Sequence, residues 1–206
     1  MKVFYIKIND SLDDVTGMDA ISLVDFPAVK KNFLCFSEEK NAKKLQFADH
    51  EKHIITGVVC LADTPIYRWN EQIGDYYVVF SKETIRQLIE KYSKQGLWNS
   101  VNLQHNDDEF INSAVMVETY LIDKARGIVP NEFADVPDGS WIASFKITDD
   151  KMWNYIVNGD DLKGFSLQGL FDIVPEEQIN EKLKAVNQDD VPEDPFDTWV
   201  NKYLDK

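Results

Sequence analysis

The stretch "GFSLQGLFDIV", residues 164–174, is a run of apolar and aromatic residues with a single serine, Ser166, between two glycines. Runs rich in β-branched and aromatic residues and bounded by Asp, Asn, Gly or Pro are typical of β-strands. Six further runs of this kind are "KVFYIKI" (2–8), "NFLCFS" (32–37), "HIITGVVCLA" (53–62), "YYVVFS" (76–81), "SAVMVETYLI" (113–122) and "SWIASFKI" (140–147). The sequence predicts about seven strands, and it leaves open whether Ser166 is a nucleophile or only a small strand residue.

Three helices are predicted among these strands. "SKETIRQLIEKYSKQG" (81–96) begins with Ser81 as a helix cap and ends at Gly96. "DDKMWNYIVNG" (149–159) is shorter, and "PEEQINEKLKAV" (175–186) starts with proline and has acids in its first turn. Strands with interspersed helices predict an α+β domain, with a mostly antiparallel sheet that could close into a barrel.

Length and charge limit the classes of function. A chain of 206 residues with 44% hydrophobic residues can bury one sizeable core. The formal net charge of −14 would repel a polyanion such as DNA, so we expect no binding of nucleic acid. No apolar run approaches the ~20 residues that span a bilayer, and the start "MKVFYIKIND" lacks the apolar centre of a signal peptide. We therefore expect a soluble intracellular protein without membrane contact.

The composition changes after about residue 187. "NQDDVPEDPFDTWVNKYLDK" begins as an acidic segment broken by prolines and ends with large apolar residues at helical spacing. We expect a β-rich domain over 1–174 and, over 175–206, a helix, an acidic linker and an amphipathic tail. Either the tail packs on its own domain, or it is a tethered peptide that binds a partner.

The histidines decide whether a serine could act as a nucleophile, because such a serine needs a base to take its proton. His50 and His53 lie in the charged segment "ADHEKHIITG", where we expect both to be exposed. His105 ends a short alternating segment with Val101 and Leu103 and leads into a polar turn, where it could reach a cleft. A half-buried structural histidine is the other interpretation of His105.

Other site types fit the sequence less well. His105, Asp107, Asp108 and Glu109 are close in sequence, but consecutive acids are more often a solvated turn than a metal site. "GFSLQG" departs from the G-x-S-x-G motif of α/β-hydrolases, and no G-x-x-x-x-G-K-[ST] phosphate loop occurs. We expect no metal and no cofactor.

Several separate segments together resemble one protein family. They are "MDAISLVDFPAVKKNFLCFS", "ITGVVCLADTPIYR", "YYVVFSKETI", "VNLQHN", "IVPNEFADVPDGSWIASFKI" and "KGFSLQGLFD". In this order they are similar to the XkdF-like serine proteases encoded by tailed phages. These belong with the prohead proteases, whose fold resembles that of the herpesvirus assembly protease. The resemblance covers roughly residues 17–174 and does not extend to the acidic tail.

The resemblance implies a Ser/His endopeptidase that acts inside the immature phage capsid, in the cytoplasm of the bacterial host. Its substrates would be the scaffold, extensions of the major capsid protein and often the protease itself, and self-association is compatible with this role. By motif, the serine of KGFS is Ser166 and the histidine of NL-x-H is His105. Two alternatives remain open: a catalytically inactive structural protein of the capsid or scaffold with the same fold, and a binding module for a small ligand or peptide.

The third catalytic residue is open, because the chain departs from the family twice. Family members often read KGFS-x-E-G, but here the acid is replaced by Gln168, and no histidine follows His105. Asp172 would lie about 20 Å along an extended strand from Ser166, too far to orient the histidine. Glu118 is on the strand that returns after His105, so we predict Glu118 as third member, with a Ser/His dyad as the alternative.

Overall fold

The computed structural model describes residues 2–25, 34–35, 52–158 and 162–179. Eleven strands lie in these ranges: β1 (Lys2–Lys7), β2 (Gly17–Val24), β3 (Leu34–Cys35), β4 (Ile54–Cys60), β5 (Ile66–Asn70), β6 (Gly74–Val79), β7 (Val101–Leu103), β8 (Ala114–Leu121), β9 (Trp141–Ile147), β10 (Gly164–Leu170) and β11 (Asp172–Pro175). The helices there are α1 (Lys82–Lys94), α2 (Asp150–Asn158) and a 3₁₀ helix (Asn131–Phe133). The predicted α+β class is therefore confirmed, and none of these helices is long and apolar enough to cross a membrane.

The strands form three open sheets, with the orders β11–β1–β6–β5, β10–β2–β7 and β3–β4–β9–β8. Their pairs are antiparallel except β1 with β6 and β2 with β7, which are parallel. The prediction of a closed barrel is wrong. The predicted strand 164–174 is interrupted at Phe171, so that β10 pairs with β2 whereas β11 pairs with β1 in a different sheet. The backbone hydrogen bonds of these two sheets are therefore not continuous at Phe171.

Local signals predicted the helices more reliably than the strands. Helix α1 begins after Ser81, whose side chain accepts a hydrogen bond from the Thr84 backbone N–H at 3.1 Å, and Gly96 follows its end with a φ of 72°. Each of the seven predicted runs contains a strand, but three strands, β2, β5 and β7, lie outside these runs. Only β7 had another signal, the short alternating segment that ends at His105. The helix predicted after Pro175 does begin there, because residues 176–179 are helical, and its remainder lies outside the described residues. The tail after residue 187 lies wholly outside them.

The sheet β10–β2–β7 has one apolar and one polar face. Phe165 on β10 is 1% exposed and packs edge-on against Phe145 of β9, with ring centroids 5.4 Å apart. Ile21 and Leu23 of β2 are also fully buried. Because side chains alternate along a strand, the residues between them, such as Ser166, project from the opposite face. The core therefore fixes the sheet from one side and leaves its small polar residues on the other.

A buried lysine holds the segment that leads into β2. Lys91 on α1 is 2% exposed, and its Nζ donates hydrogen bonds to the backbone carbonyls of Asn9, Asp14 and Thr16 at 2.9, 2.9 and 2.6 Å. Three acceptors satisfy the three N–H groups of the ammonium. Residues 9–16 are thereby attached to α1 immediately before β2 begins.

Replacing Lys91 by methionine should lower the free energy of unfolding by about 2 kcal/mol, because buried carbonyls would lose a charged donor while the apolar stem is kept. Urea denaturation measures the difference. Lys94→Met is the matched control: its side chain is 59% exposed, and it should change stability by less than about 0.5 kcal/mol. Equal losses in the two variants would contradict a structural role for the Lys91 hydrogen bonds.

Candidate active site

Three small polar residues form a row across the polar face of the sheet β10–β2–β7. Ser166 on β10 is directly opposite Ser22 on β2, and Ser22 is directly beside Asn102 on β7. Residues opposite each other on adjacent strands project from the same face, with Cα atoms about 4.5–5.5 Å apart in antiparallel pairs. The alternation of apolar and small polar residues in these strands thus produces a polar row above an apolar core.

His105 is brought back over this row by a tight turn after β7. Gln104 and His105 both have positive φ angles, 51° and 58°, which non-glycine residues adopt infrequently. The Gln104 N–H donates to the Leu23 carbonyl at 2.9 Å, so the turn is attached to the end of β2. As a result, the imidazole Nδ1 lies 2.9 Å from the Ser22 Oγ. His105 therefore stands beside Ser22, the direct neighbour of Ser166.

The Ser166 side chain is mostly buried, at 9% exposure, and its hydroxyl has no hydrogen-bond partner among the residues that the structure describes. Every fully buried side-chain N or O in those ranges has a partner, so the Ser166 Oγ keeps some contact with solvent. No hydrogen bond joins Ser166 to His105 in the described part of the chain. The two predicted residues thus share one face of the sheet without direct contact.

A hydrogen-bonded network continues from Ser22 away from Ser166. The Ser22 Oγ is 2.6 Å from the Asn102 Oδ1 and 3.3 Å from the Gln168 Oε1. The Asn102 Nδ2 donates to the Gln168 Oε1 at 2.7 Å, and the Gln168 Nε2 donates to the Asp107 carboxylate at 2.5 Å. Gln168 reaches this network from β10, two residues after Ser166. Gln168, which stands where the resemblance implies an acid, therefore touches the side chains around His105.

The pKa of His105 is lowered from its usual value. Burial of part of the ring is the main cause, and the nearby positive charge of Arg68 acts in the same direction. A hydrogen bond with Gln168 raises the pKa but does not compensate. Arg68 comes from β5, in another sheet, and is itself half-buried. The imidazole is therefore held in its neutral form, which can accept a proton, to a lower pH than a free histidine.

Glu118, predicted as the third member, is on β8 in the sheet β3–β4–β9–β8. Its carboxylate accepts a hydrogen bond from the Ser144 hydroxyl of β9 at 3.0 Å. Within the described ranges, no hydrogen bond or ion pair joins Glu118 to His105. Asp172, the less favoured acid, is on β11 and thus outside the sheet that carries Ser166. The role predicted for Glu118 stays a prediction without a supporting contact.

The other histidines and the acidic turn give no competing site. His53 was predicted to be exposed, but it is half-buried and stacks on Trp153 with ring centroids 4.6 Å apart. His50 lies outside the described residues. Among those that are described, no three His, Cys, Asp or Glu side chains are grouped closely enough to hold a metal ion. Asp107, weighed as a metal ligand from the sequence, instead accepts the hydrogen bond from Gln168.

Ser22 and Asn102 are site residues that were not predicted from the sequence. Ser22 is a polar residue within "AISLV", and Asn102 lies within "VNL". A polar residue between apolar residues of a buried strand is a usable signal, because buried polar groups need partners. That signal shows that a partner exists, but only the pairing of β2 with β7 shows which partner it is.

One family model matches the chain. The model described as "Putative phage serine protease XkdF" matches residues 41–175, about two thirds of the chain. Both His105 and Ser166 lie inside the match, whereas Ser22 lies before it. No curated protein and no solved structure matches the chain, so the expected likeness to the herpesvirus assembly protease stays a prediction. The chain belongs to the XkdF family of phage serine proteases.

Proposed function

We propose that the protein is a serine endopeptidase in which Ser166 is the nucleophile and His105 is the general base. The single observation that carries this proposal is that Ser166 is opposite Ser22, whose Oγ is 2.9 Å from the imidazole of His105. The family match supports a serine protease, and the choice of these two residues comes from the KGFS and NL-x-H motifs. Nucleophile and base commonly come into closer contact only when substrate binds, which is compatible with the absence of a direct bond between these two described residues.

The reaction would follow the usual course of acyl transfer. The Ser166 Oγ forms a bond to the carbonyl carbon of the peptide while its proton passes to His105. The protonated imidazole then gives this proton to the leaving nitrogen as the C–N bond breaks, which leaves an acyl ester on Ser166. Water repeats the two steps and releases the second product. The chain's own side chains supply each proton transfer.

Ser22 is in contact with the imidazole, so it must be considered as a rival nucleophile. It is fully buried, at 0% exposure, whereas Ser166 is 9% exposed and its hydroxyl keeps some contact with solvent. Its Oγ is also within 2.6 Å of an amide oxygen that takes its proton. Ser22 is therefore poorly placed to attack a peptide, which favours Ser166.

The biological substrates that we propose are the phage scaffold and extensions of the major capsid protein, with self-cleavage as a further reaction. The site of action would be the interior of the immature capsid in the bacterial host. The family resemblance supports this role, and the net charge of −14 is compatible with a protein that does not bind the packaged DNA. Intact-mass spectrometry of the protein mixed with its scaffold and capsid partners tests it.

A fluorophosphonate tests the catalytic unit without knowledge of the substrate. An activated serine oxygen forms a bond to phosphorus, fluoride leaves, and the serine proton goes to the base. Peptide mapping should find the label on Ser166 in the wild type and none in His105→Gln. Ser93, an exposed serine on α1, serves as an internal control and should stay unlabelled. An unlabelled Ser166 together with unchanged masses of all partners would favour the alternative, a catalytically inactive structural protein.

The pH profile of labelling should show the lowered pKa of His105. Neutral imidazole is the active form, so the rate should fall only below about pH 6.5, the usual pKa of histidine. Arg68→Gln removes a positive charge that lowers this pKa, so the acid limb should move to higher pH. Arg86→Gln, on the exposed surface of α1, is the control and should leave the limb in place. An unchanged limb in Arg68→Gln would contradict this electrostatic effect.

A further inference from the structure

The hydrogen bonds around Ser22 can be assigned donor by donor, starting from Asp107. A carboxylate only accepts, so the side-chain atom of Gln168 nearest Asp107 is its NH₂ group, and its Oε1 faces the other way. Gln168 Oε1 also only accepts, so the group of Asn102 that meets it at 2.7 Å is the Nδ2 amide. The Asn102 Oδ1 is consequently the atom that faces Ser22.

Ser22 has one hydroxyl proton and two amide oxygens within reach, the Asn102 Oδ1 at 2.6 Å and the Gln168 Oε1 at 3.3 Å. Neither amide oxygen can donate, so the Ser22 hydroxyl donates its hydrogen bond to one of them. The shorter distance favours the Asn102 Oδ1. The Ser22 oxygen is then left with lone pairs towards His105 Nδ1, which is 2.9 Å away. A hydrogen bond forms there only if Nδ1 carries the proton.

We infer that Ser22 is the positioning residue of His105: it accepts a hydrogen bond from Nδ1–H and so holds the neutral imidazole in the tautomer whose Nε2 lone pair is free to take a proton. Asn102, Gln168 and Asp107 keep Ser22 oriented. This inference deepens the proposed function and rests on it for its catalytic meaning.

The chain of donors has a single direction. This explains how the site could work although no carboxylate of the described residues is bonded to the imidazole. From His105 through Ser22, Asn102 and Gln168 to Asp107, each hydrogen points away from the ring. Aligned hydrogen bonds strengthen one another in a low-dielectric setting, and here they end at a negative charge. The arrangement would stabilise the imidazolium that forms when Nε2 takes the serine proton.

The tautomer can be measured without proteolysis, by ¹⁵N NMR of the histidine rings above the pKa of His105. The Ser166→Ala chain should be used, so that the sample stays intact. The chain has three histidines, and comparison with Ser166→Ala/His105→Gln identifies the signals of His105. We expect protonated Nδ1 and bare Nε2. Adding Ser22→Ala should increase the share of the Nε2–H form, because Nδ1–H then loses the Ser22 oxygen at 2.9 Å and is left with the hydrogen bond to Gln168.

Ser144→Ala is the matched control, since Ser144 is also a fully buried strand serine with side-chain hydrogen bonds, to Thr56 and Glu118. It should cost similar stability but leave the His105 signals unchanged. Ser22→Thr keeps the hydroxyl and should retain Nδ1–H. An Nε2–H ring in the Ser166→Ala parent, or unchanged ring signals after Ser22→Ala, would overturn the inference.

The labelling rate separates this inference from the proposed function. In the chain with Ser166 intact, Ser22→Ala should slow fluorophosphonate labelling by about 100-fold or more, as expected when the base is in the wrong tautomer. Ser144→Ala should label at the wild-type rate. A Ser22→Ala rate equal to wild type would overturn Ser22 as a positioning residue. Failure of the wild type to label would overturn the proposed function, whatever the tautomer.

Discussion

Replacing Ser166 by alanine should lower the rate of proteolysis by at least about 10⁴-fold, because the attacking oxygen is removed. The fold should be retained, since alanine fits a position where the serine hydroxyl has no hydrogen-bond partner in the described part of the chain. The measurement is the rate at which the purified protein cleaves itself, the scaffold and the capsid protein, followed by intact mass. Ser93→Ala, at an exposed position, should cleave at the wild-type rate.

The same experiment includes His105→Gln, which removes the base and should cause a loss of similar size. Members of one catalytic unit are not additive, so the double variant should be no slower than the slower single one. Losses that multiply would mean that Ser166 and His105 act in separate steps. Cleavage that persists in Ser166→Ala at the wild-type rate would refute Ser166 as the nucleophile.

Replacing Gly169 by alanine should lower the free energy of unfolding by about 3 kcal/mol or more. A Cβ at this position would lie 2.0 Å from the Gly17 carbonyl oxygen and 2.8 Å from the Met18 Cα. These are backbone atoms of β2, so no flexible side chain can move aside, and the strands themselves would have to separate. Urea denaturation and thermal melting measure the loss.

The variant should also impair the site, because the register of β10 and β2 shifts between Gln168 and Gly169. Such bulges re-aim neighbouring side chains, here that of Gln168. Gly127→Asn is the control: Gly127 has a φ of 75°, which asparagine tolerates, and no described atom lies within 4 Å of the position that its Cβ would take. Its stability should stay within about 0.5 kcal/mol. A Gly169→Ala chain of wild-type stability would show that the two strands are not closely packed.

Prediction from the sequence succeeded where the signal was local. Ser81 and Gly96 mark the ends of α1 within a few residues, and the segments that resemble the XkdF-like proteases indicated the family that the family model matches. The catalytic roles of Ser166 and His105 stay predictions. Prediction failed where the structure depends on which distant strands pair with each other. The stretch 164–174 reads as one strand, but its two halves join different sheets, and nothing local distinguishes the partners.

Ser22 is a residue whose role depends on long-range strand pairing and was therefore not predicted. Its sequence neighbours identify a buried strand, but its contact with His105 requires β7 to lie alongside β2 and a left-handed turn to follow. For Glu118 the opposite holds: a contact with His105 was predicted, and no such contact is found among the described residues. Its chain position suggested a strand next to His105, whereas β8 pairs with β9, and its carboxylate meets Ser144.

The place of β2 in its sheet has a consequence for how the protein is made. β2 is the middle strand, yet its side-chain partners Asn102 and Gln168 follow Ser22 by 80 and 146 residues. At about 5–20 residues per second, the ribosome needs roughly 7–30 s after Ser22 to deliver the second of them. Until then β2 has no hydrogen-bonded neighbour on that side, and closing so long a loop is slow. The nascent chain therefore completes this sheet only when nearly the whole β-rich domain has been synthesised.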